Sequence, residues 1–274
     1  MLQSLGDSKN QKEAMTKIHK TAVVSPKSNI DSSIEIGAYS IIGDDVEIGK
    51  NTKIESHVVI KGKTKIGEDN HFYSFSSIGD DPQDKKYLNE ETAVEIGDRN
   101  TIREYTTINK GTIQDVGVTR MGNDNWIMAY VHIAHDCQVG NNTIFANNTT
   151  LGGHVEVGDN VIFGGFSGAH QFCKIGAHSF LGMYSGVARD LPPYVIVMGQ
   201  PAEPRGINLE GLKRRDFSKD QIRNIKSAYK ALYMSDLRLE EAIKVIQDLG
   251  DINGELNILV DFLNNTTRGI VRKG

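Results

Sequence analysis

The sequence predicts a parallel β-helix of three-sided coils over about residues 11–200, followed by a small α-helical domain over 201–274. Three observations carry that expectation. A large aliphatic or aromatic residue returns every sixth position from Ile18 to Ile78, through Val24, Ile30, Ile36, Ile42, Ile48, Ile54, Ile60, Ile66 and Phe72. The spacing resumes at Ile127 and runs through Ile133, Val139, Phe145, Leu151, Val157, Phe163, Ala169, Ile175 and Leu181 to Val187. Beyond Leu191 it stops, prolines at 192, 193, 201 and 204 intervene, and helical spacing takes over.

A period of six belongs to neither a helix nor an ordinary strand. With 38% of residues apolar, eleven consecutive matches arise by chance with a probability on the order of 10⁻⁵. Three hexads make an 18-residue coil with three flat faces, and stacked coils pair short parallel strands while burying one large residue per face. Glycine often follows the apolar residue, as at Gly37, Gly43, Gly67, Gly140 and Gly158, where the chain needs close backbone approach or positive φ to bend. A small residue fills the fourth place after it, as at Ser40, Thr52, Ser76 and Thr143.

Two interruptions read as loops thrown out of the coil. The first spans 79–95, after which Ile96, Ile102 and Ile108 keep the original phase. The second spans 109–126 and returns one residue out of phase at Ile127. Loops on a rigid scaffold carry function or serve as solvated decoration, and the sequence leaves both open. Residues 1–10 read as an N-terminal extension. In the tail, Ser218 with Gln221 forms a capping-box signal before Ile222, Ile225, Ala228, Tyr229 and Leu232. A second amphipathic stretch holds Leu239, Ala242, Ile243 and Ile246, and Asn253 is placed to cap a last helix through Leu256, Leu259, Val260 and Leu263.

A net charge of −4 supplies no overall basic field for nucleic acid or an anionic membrane. No apolar run approaches the ~20 residues of a membrane span, and the first seventeen residues lack the apolar core of a secretion signal, so the expected location is cytoplasmic. The two cysteines, Cys137 and Cys173, exclude a disulfide scaffold and a four-cysteine zinc site. Both occupy the small-residue slot, which reads as core packing rather than a catalytic thiol.

Four of eight histidines, His132, His135, His154 and His170, fall within about two coils. The 18-residue register stacks His135, Gly153 and Gln171 on one another at about 4.8 Å per coil and places His154 over Asp136. An outward imidazole beside a backbone N–H suits acyl transfer: the ring takes a proton from a hydroxyl as it attacks a thioester, and the N–H stabilises the oxyanion. Spacing leaves two rivals open, solvated surface histidines and a zinc site of three imidazoles.

The hexad pattern resembles that of the hexapeptide-repeat proteins, whose coils wind left-handed. The motifs His132-Ile-Ala-His135-Asp136-Cys137, Gly153-His154-Val155, His170-Gln171-Phe172-Cys173 and Asn208-Leu-Glu210-Gly-Leu-Lys213-Arg214-Arg215 resemble, within them, the UDP-N-acetylglucosamine acyltransferases of lipid A biosynthesis. The likeness extends from about Ile18 to Arg272, and the last motif is its most specific part. It implies transfer of a (3R)-hydroxyacyl chain from acyl carrier protein to the sugar 3-hydroxyl of UDP-N-acetylglucosamine. It also implies a homotrimer with clefts between subunits, and neither a cofactor nor a metal.

By that resemblance His135 is the general base, Asp136 orients or polarises it, and the Gly153 N–H is the oxyanion donor. His132, His154, His170 and Gln171 match residues lining the substrate cleft. Asn208, Glu210, Arg214 and Arg215 match the segment facing nucleotide and carrier protein, where an arginine fork suits phosphate and a basic cluster suits an acidic carrier. Gln83, Asp84 and Lys86 match a substrate-contacting loop. Met183 stands where side-chain volume limits the acyl pocket and leans toward a chain of about ten carbons. Asn109 departs from the family's usual histidine. The rival readings are a related UDP-sugar N-acyltransferase, which normally has a further domain ahead of the coil, a zinc protein of carbonic-anhydrase type, and a non-catalytic scaffold.

Overall fold

The computed structural model describes residues 17–250 and 254–272. The extension over 1–10, the first expected coil residues up to 16, and Asn253 lie outside them.

The chain winds through three sheets in rotation and forms the left-handed parallel β-helix that the repeat implies. Face 1 runs from Val23–Val24 and Ile41–Ile42 to Gly186–Val187, and face 2 from Asn29–Ile30 to Lys174–Ile175. Face 3 runs from Glu35–Ile36 to Val195–Met198 and Glu203–Ile207. Parallel partners lie one coil apart, as in Ile42 with Ile60, Ile54 with Phe72 and Val139 with Val157. The hexad residue of each strand points inward: Ile42, Ile54, Ile60, Phe72, Ile78 and Ile102 are all at most 1% exposed. Each such burial contributes about 1.5–3 kcal/mol, which is why the six-residue period governs the fold. Cys137 and Cys173 are fully buried in the small-residue slot.

The corners are made differently from what the glycines suggest. Left-handed φ falls on non-glycine residues three places after the hexad residue, including Tyr39, Asn51, His57, Asp136, Asn142 and His154. The glycine just after the hexad residue serves close approach instead, since a Cβ on Gly37 would sit 2.6 Å from the Glu55 carbonyl carbon. Bonds between coils, such as His154 N–H to His135 O at 3.0 Å, accompany the strained corner conformation.

Both insertions leave the coil at the same edge, where face 1 passes to face 2. Ile66 pairs with Ile96, thirty residues on, so the first insertion adds the length of two hexads and preserves phase. Ile96 pairs with Met121, twenty-five residues on, which explains the one-residue shift. The second insertion is shorter than the expected 109–126: Val118–Met121 is a strand of face 2 and buried Met121 fills a hexad place, leaving 110–117 as the loop. The first likewise ends at Ala93–Ile96.

The expected change to helix at 201 comes later. Val195–Met198 and Glu203–Ile207 first pair antiparallel at the end of face 3. Helices follow at Leu209–Arg214 (α1), Lys219–Tyr233 (α2), Leu239–Asp248 (α3) and Glu255–Asn264 (α4). Ser218 and Gln221 form the reciprocal cap of α2. Ile225, Leu232, Ile246 and Leu259 close a second core over Tyr194. Fully buried Asp190 ties the tail to the coil, accepting from the backbone N–H groups of Lys174, Thr267 and Arg268 at 2.9, 2.9 and 3.2 Å. No helix among the described residues is long and apolar enough to cross a membrane.

Candidate active site

The histidine cluster lies on the edge from which both insertions emerge. His135 follows the inward Ile133 by two places, so its ring leaves the core, while its Nδ1 lies 2.9 Å from Asp136 Oδ2. Asp136 is sealed, with no side-chain exposure, and His135 is 13% exposed. Burial by itself would lift the Asp136 carboxyl, but hydrogen bonds from His135 and Thr112 outweigh it and hold the group below its ordinary range. The Thr112 N–H reaches both carboxylate oxygens at 3.0 Å and the Thr112 hydroxyl reaches Oδ2 at 2.7 Å. Asp136 is therefore an ionised acceptor whose proton-bearing partner is His135 Nδ1, leaving His135 Nε2 to take a proton.

Gly153 lies one coil above, as the register requires. A Cβ there would fall 2.5 Å from His135 Cε1 and 2.6 Å from Nε2, so the imidazole rests against the glycine. The Gly153 N–H makes no hydrogen bond with the described residues. His154 stands edge-on to His135 at 4.9 Å and stacks on Phe172 at 4.3 Å. His154 Nδ1 lies 2.6 Å from Asp115 Oδ2, a side chain of the second insertion. On face 1, His132 Nδ1 meets the Thr107 hydroxyl at 2.7 Å. Burial first, and His135 second, push the His132 pKa below its usual value. His170 and Gln171 are exposed in the coil above Gly153.

A profile described as UDP N-acetylglucosamine O-acyltransferase, domain 2, matches residues 190–271, and one for the bacterial transferase hexapeptide matches 119–153. The acyl-[acyl-carrier-protein]–UDP-N-acetylglucosamine O-acyltransferase of Herminiimonas arsenicoxydans is 53% identical over 262 residues, 94% of this chain and 100% of that protein. The chain belongs to the UDP-N-acetylglucosamine O-acyltransferase family. The relative of the same description from Janthinobacterium sp. is 55% identical with the same coverage. Among solved structures, LpxA from Acinetobacter baumannii matches with a TM-score of 0.91 at 46% identity, covering 93% of this chain and 100% of that one. The UDP-N-acetylglucosamine acyltransferase of Francisella novicida matches with a TM-score of 0.91 at 42% identity, covering 93% and 94%.

The other residues that the acyltransferase resemblance singles out are not gathered at His135 within one chain. Gln83, Asp84 and Lys86 sit in the first insertion, below the histidines on the same edge; Gln83 and Lys86 are exposed, and the Lys86 N–H turns back to Asp84 Oδ1 at 2.9 Å. That insertion is tied to the coil by Asn109 Nδ2, 2.8 Å from the Asp81 carbonyl. Asn208, Glu210, Arg214 and Arg215 stand at the edge between faces 2 and 3. There Asn208 is buried and caps α1 through Gly211 N–H while donating to His178 O at 2.9 Å, so its amide is engaged structurally. Arg215 binds Asn160 Oδ1 at 2.8 Å, Glu210 pairs with Lys213, and Arg214 is exposed. Met183 occupies the third edge, 60% exposed.

Sequence spacing did not reveal Thr112, Asp115 or Phe172, which complete the surroundings of the two central histidines. For Thr112 and Asp115 the signal was only that 110–117 springs from the edge carrying His135, whereas Phe172 lies one 18-residue winding beyond His154. The zinc reading asked for three imidazoles. This chain brings His135, His154 and Asp136 within 4.8 Å of one another, a group able to hold a metal, while His132 and His170 face other partners.

Proposed function

We propose that the protein transfers a (3R)-hydroxyacyl chain from the thioester of acyl carrier protein to the 3-hydroxyl of UDP-N-acetylglucosamine, the opening step of lipid A biosynthesis, in the cytoplasm. The observation that carries this reading is the His135–Asp136 pair, with its ring packed on Gly153 and the Gly153 N–H unbonded among the described residues. His135 Nε2 removes the sugar hydroxyl proton as the oxygen attacks the thioester carbon. Asp136 holds Nδ1–H and stabilises the imidazolium that forms. The Gly153 N–H receives the developing oxyanion. When the tetrahedral adduct collapses, the carbon–sulfur bond breaks and the carrier thiolate takes the proton back from His135. No acyl-enzyme and no cofactor enters the cycle, and His154, His132, His170 and Gln171 hold the sugar nucleotide.

The working unit in this proposal is a homotrimer. The residues assigned by resemblance stand on three different edges of one prism, and a symmetric trimer sets different edges of neighbouring prisms against each other. Arg214, Arg215, Asn208 and Glu210 of one subunit then serve the nucleotide and the acidic carrier, with Gln83, Asp84 and Lys86 contacting substrate from the first insertion. The relatives' names favour the hydroxyl over the amine as acceptor. The test is transfer from defined hydroxyacyl carrier proteins to UDP-N-acetylglucosamine: His135→Ala is expected to lose about 10²–10⁴-fold in kcat with the trimer intact. Undiminished transfer by that variant removes His135 from the reaction.

A further inference from the structure

We propose that Asp115 is a positioning residue of this site, one that fixes the ring of His154 toward the sugar nucleotide. The inference rests on the acyltransferase reading above. Asp115 Oδ2 lies 2.6 Å from His154 Nδ1. A carboxylate only accepts, so that nitrogen carries the hydrogen and Nε2 is left as the ring nitrogen available to a ligand.

No other group among the described residues supplies this constraint. Asp136 Oδ2 is 3.8 Å from the same nitrogen, beyond hydrogen-bond range, and already accepts from His135 and Thr112. Phe172 fixes the plane of the ring, with an interplanar angle of 6°. Stacking on a flat face does not distinguish the ring from its 180° flip, which exchanges nitrogen and carbon positions. Asp115 does distinguish them.

Asp115 is itself well placed to hold a position. The base of its loop is closed by Gly111 N–H to Ala93 O at 3.2 Å and Ala93 N–H to Gly117 O at 3.0 Å. Thr112, three residues earlier, is fastened to Asp136 by its amide and hydroxyl. One short segment thus braces both histidines, His135 through Asp136 and His154 directly. His154 Nε2, aimed in this way, gives one hydrogen bond to the bound sugar nucleotide that persists through the reaction, so its loss registers in KM rather than kcat.

Steady-state kinetics on the full-length trimer tests this. Asp115→Ala is expected to raise KM for UDP-N-acetylglucosamine about tenfold while kcat stays within about threefold. Asp115→Asn should restore most of the loss, because its Oδ1 accepts the same N–H. In a His154→Phe background, which keeps the stack on Phe172, Asp115→Ala should add nothing. A wild-type KM in Asp115→Ala, or a penalty undiminished beside His154→Phe, overturns the assignment of Asp115 alone. Absence of transfer by the wild-type protein overturns the functional reading beneath it.

Discussion

Adding one carbon at Gly153 tests the centre of the site. In Gly153→Ala the new methyl would lie 2.5 Å from His135 Cε1 and 2.6 Å from Nε2, and an ordinary contact of ~3.5 Å requires the ring to retreat by about 1 Å. The imidazole has little freedom to do so. Its Nδ1 is held by Asp136 at 2.9 Å, Asp136 is anchored by Thr112, and the His135 carbonyl is bonded to the very next coil through His154 N–H. The ring must break its bond to Asp136 or the coils must part. A displacement of about 1 Å from productive geometry costs about 10² in rate, and the overpacking costs about 1–3 kcal/mol of stability. Alanine keeps the backbone N–H, so the loss reports on placement of the base. The assay is single-turnover transfer from hydroxyacyl carrier protein, with thermal unfolding of the same preparation. A variant that folds normally and transfers at the wild-type rate refutes the claim that His135 works from this position.

Burial raises the Cys137 thiol to about 12 and the Cys173 thiol to about 11, so the double Cys→Ala variant should keep its transferase rate, and loss of turnover unexplained by misfolding would point to thiol chemistry. His178, partly buried and beside Arg215, is pushed down to about 4 from 6.5. The unfolded chain then binds its proton first as pH falls, so stability drains away between pH 6.5 and about 4, by about 3–4 kcal/mol at most. Thermal midpoints of His178→Phe should accordingly fall less steeply than wild type across that interval, and parallel curves would contradict the shift. Met183→Gly should move preference from ten-carbon toward fourteen-carbon donors in direct competition; an unchanged ratio removes Met183 from chain selection.

The coil was legible because burial imposes it: Ile42, Ile60 and Phe72 must all face inward, and their spacing survives any change on the outer faces. The pairing of His135 with Gly153 was legible for the same reason, since it follows from counting one winding. The second insertion was drawn too long because the resumed repeat was started at Ile127, whereas Met121, six residues earlier and paired with both Ile96 and Val139, already fills a hexad place. The corner glycines signalled close packing, whereas the left-handed turns fall on Asp136 and His154, whose side chains bond carboxylate or imidazole partners. Asp115 and Thr112 stayed hidden because loop residues obey no period. Asn208 matches a nucleotide-facing segment by resemblance alone, and its additional cap on α1 depends on where the helix begins, which the hexad arithmetic does not reach.

The Asp190 carboxylate has a bearing on how the chain can be divided. It lies in the last winding and receives two of its three backbone donors from residues 267 and 268, almost eighty positions later. A fragment ending before that point would leave an anion entombed with one partner, a debt of the kind that unfolds small proteins. The repeat looks modular along its axis, but residues 267 and 268 act as its keystone, so synthesis must pass them before the uppermost layer can set.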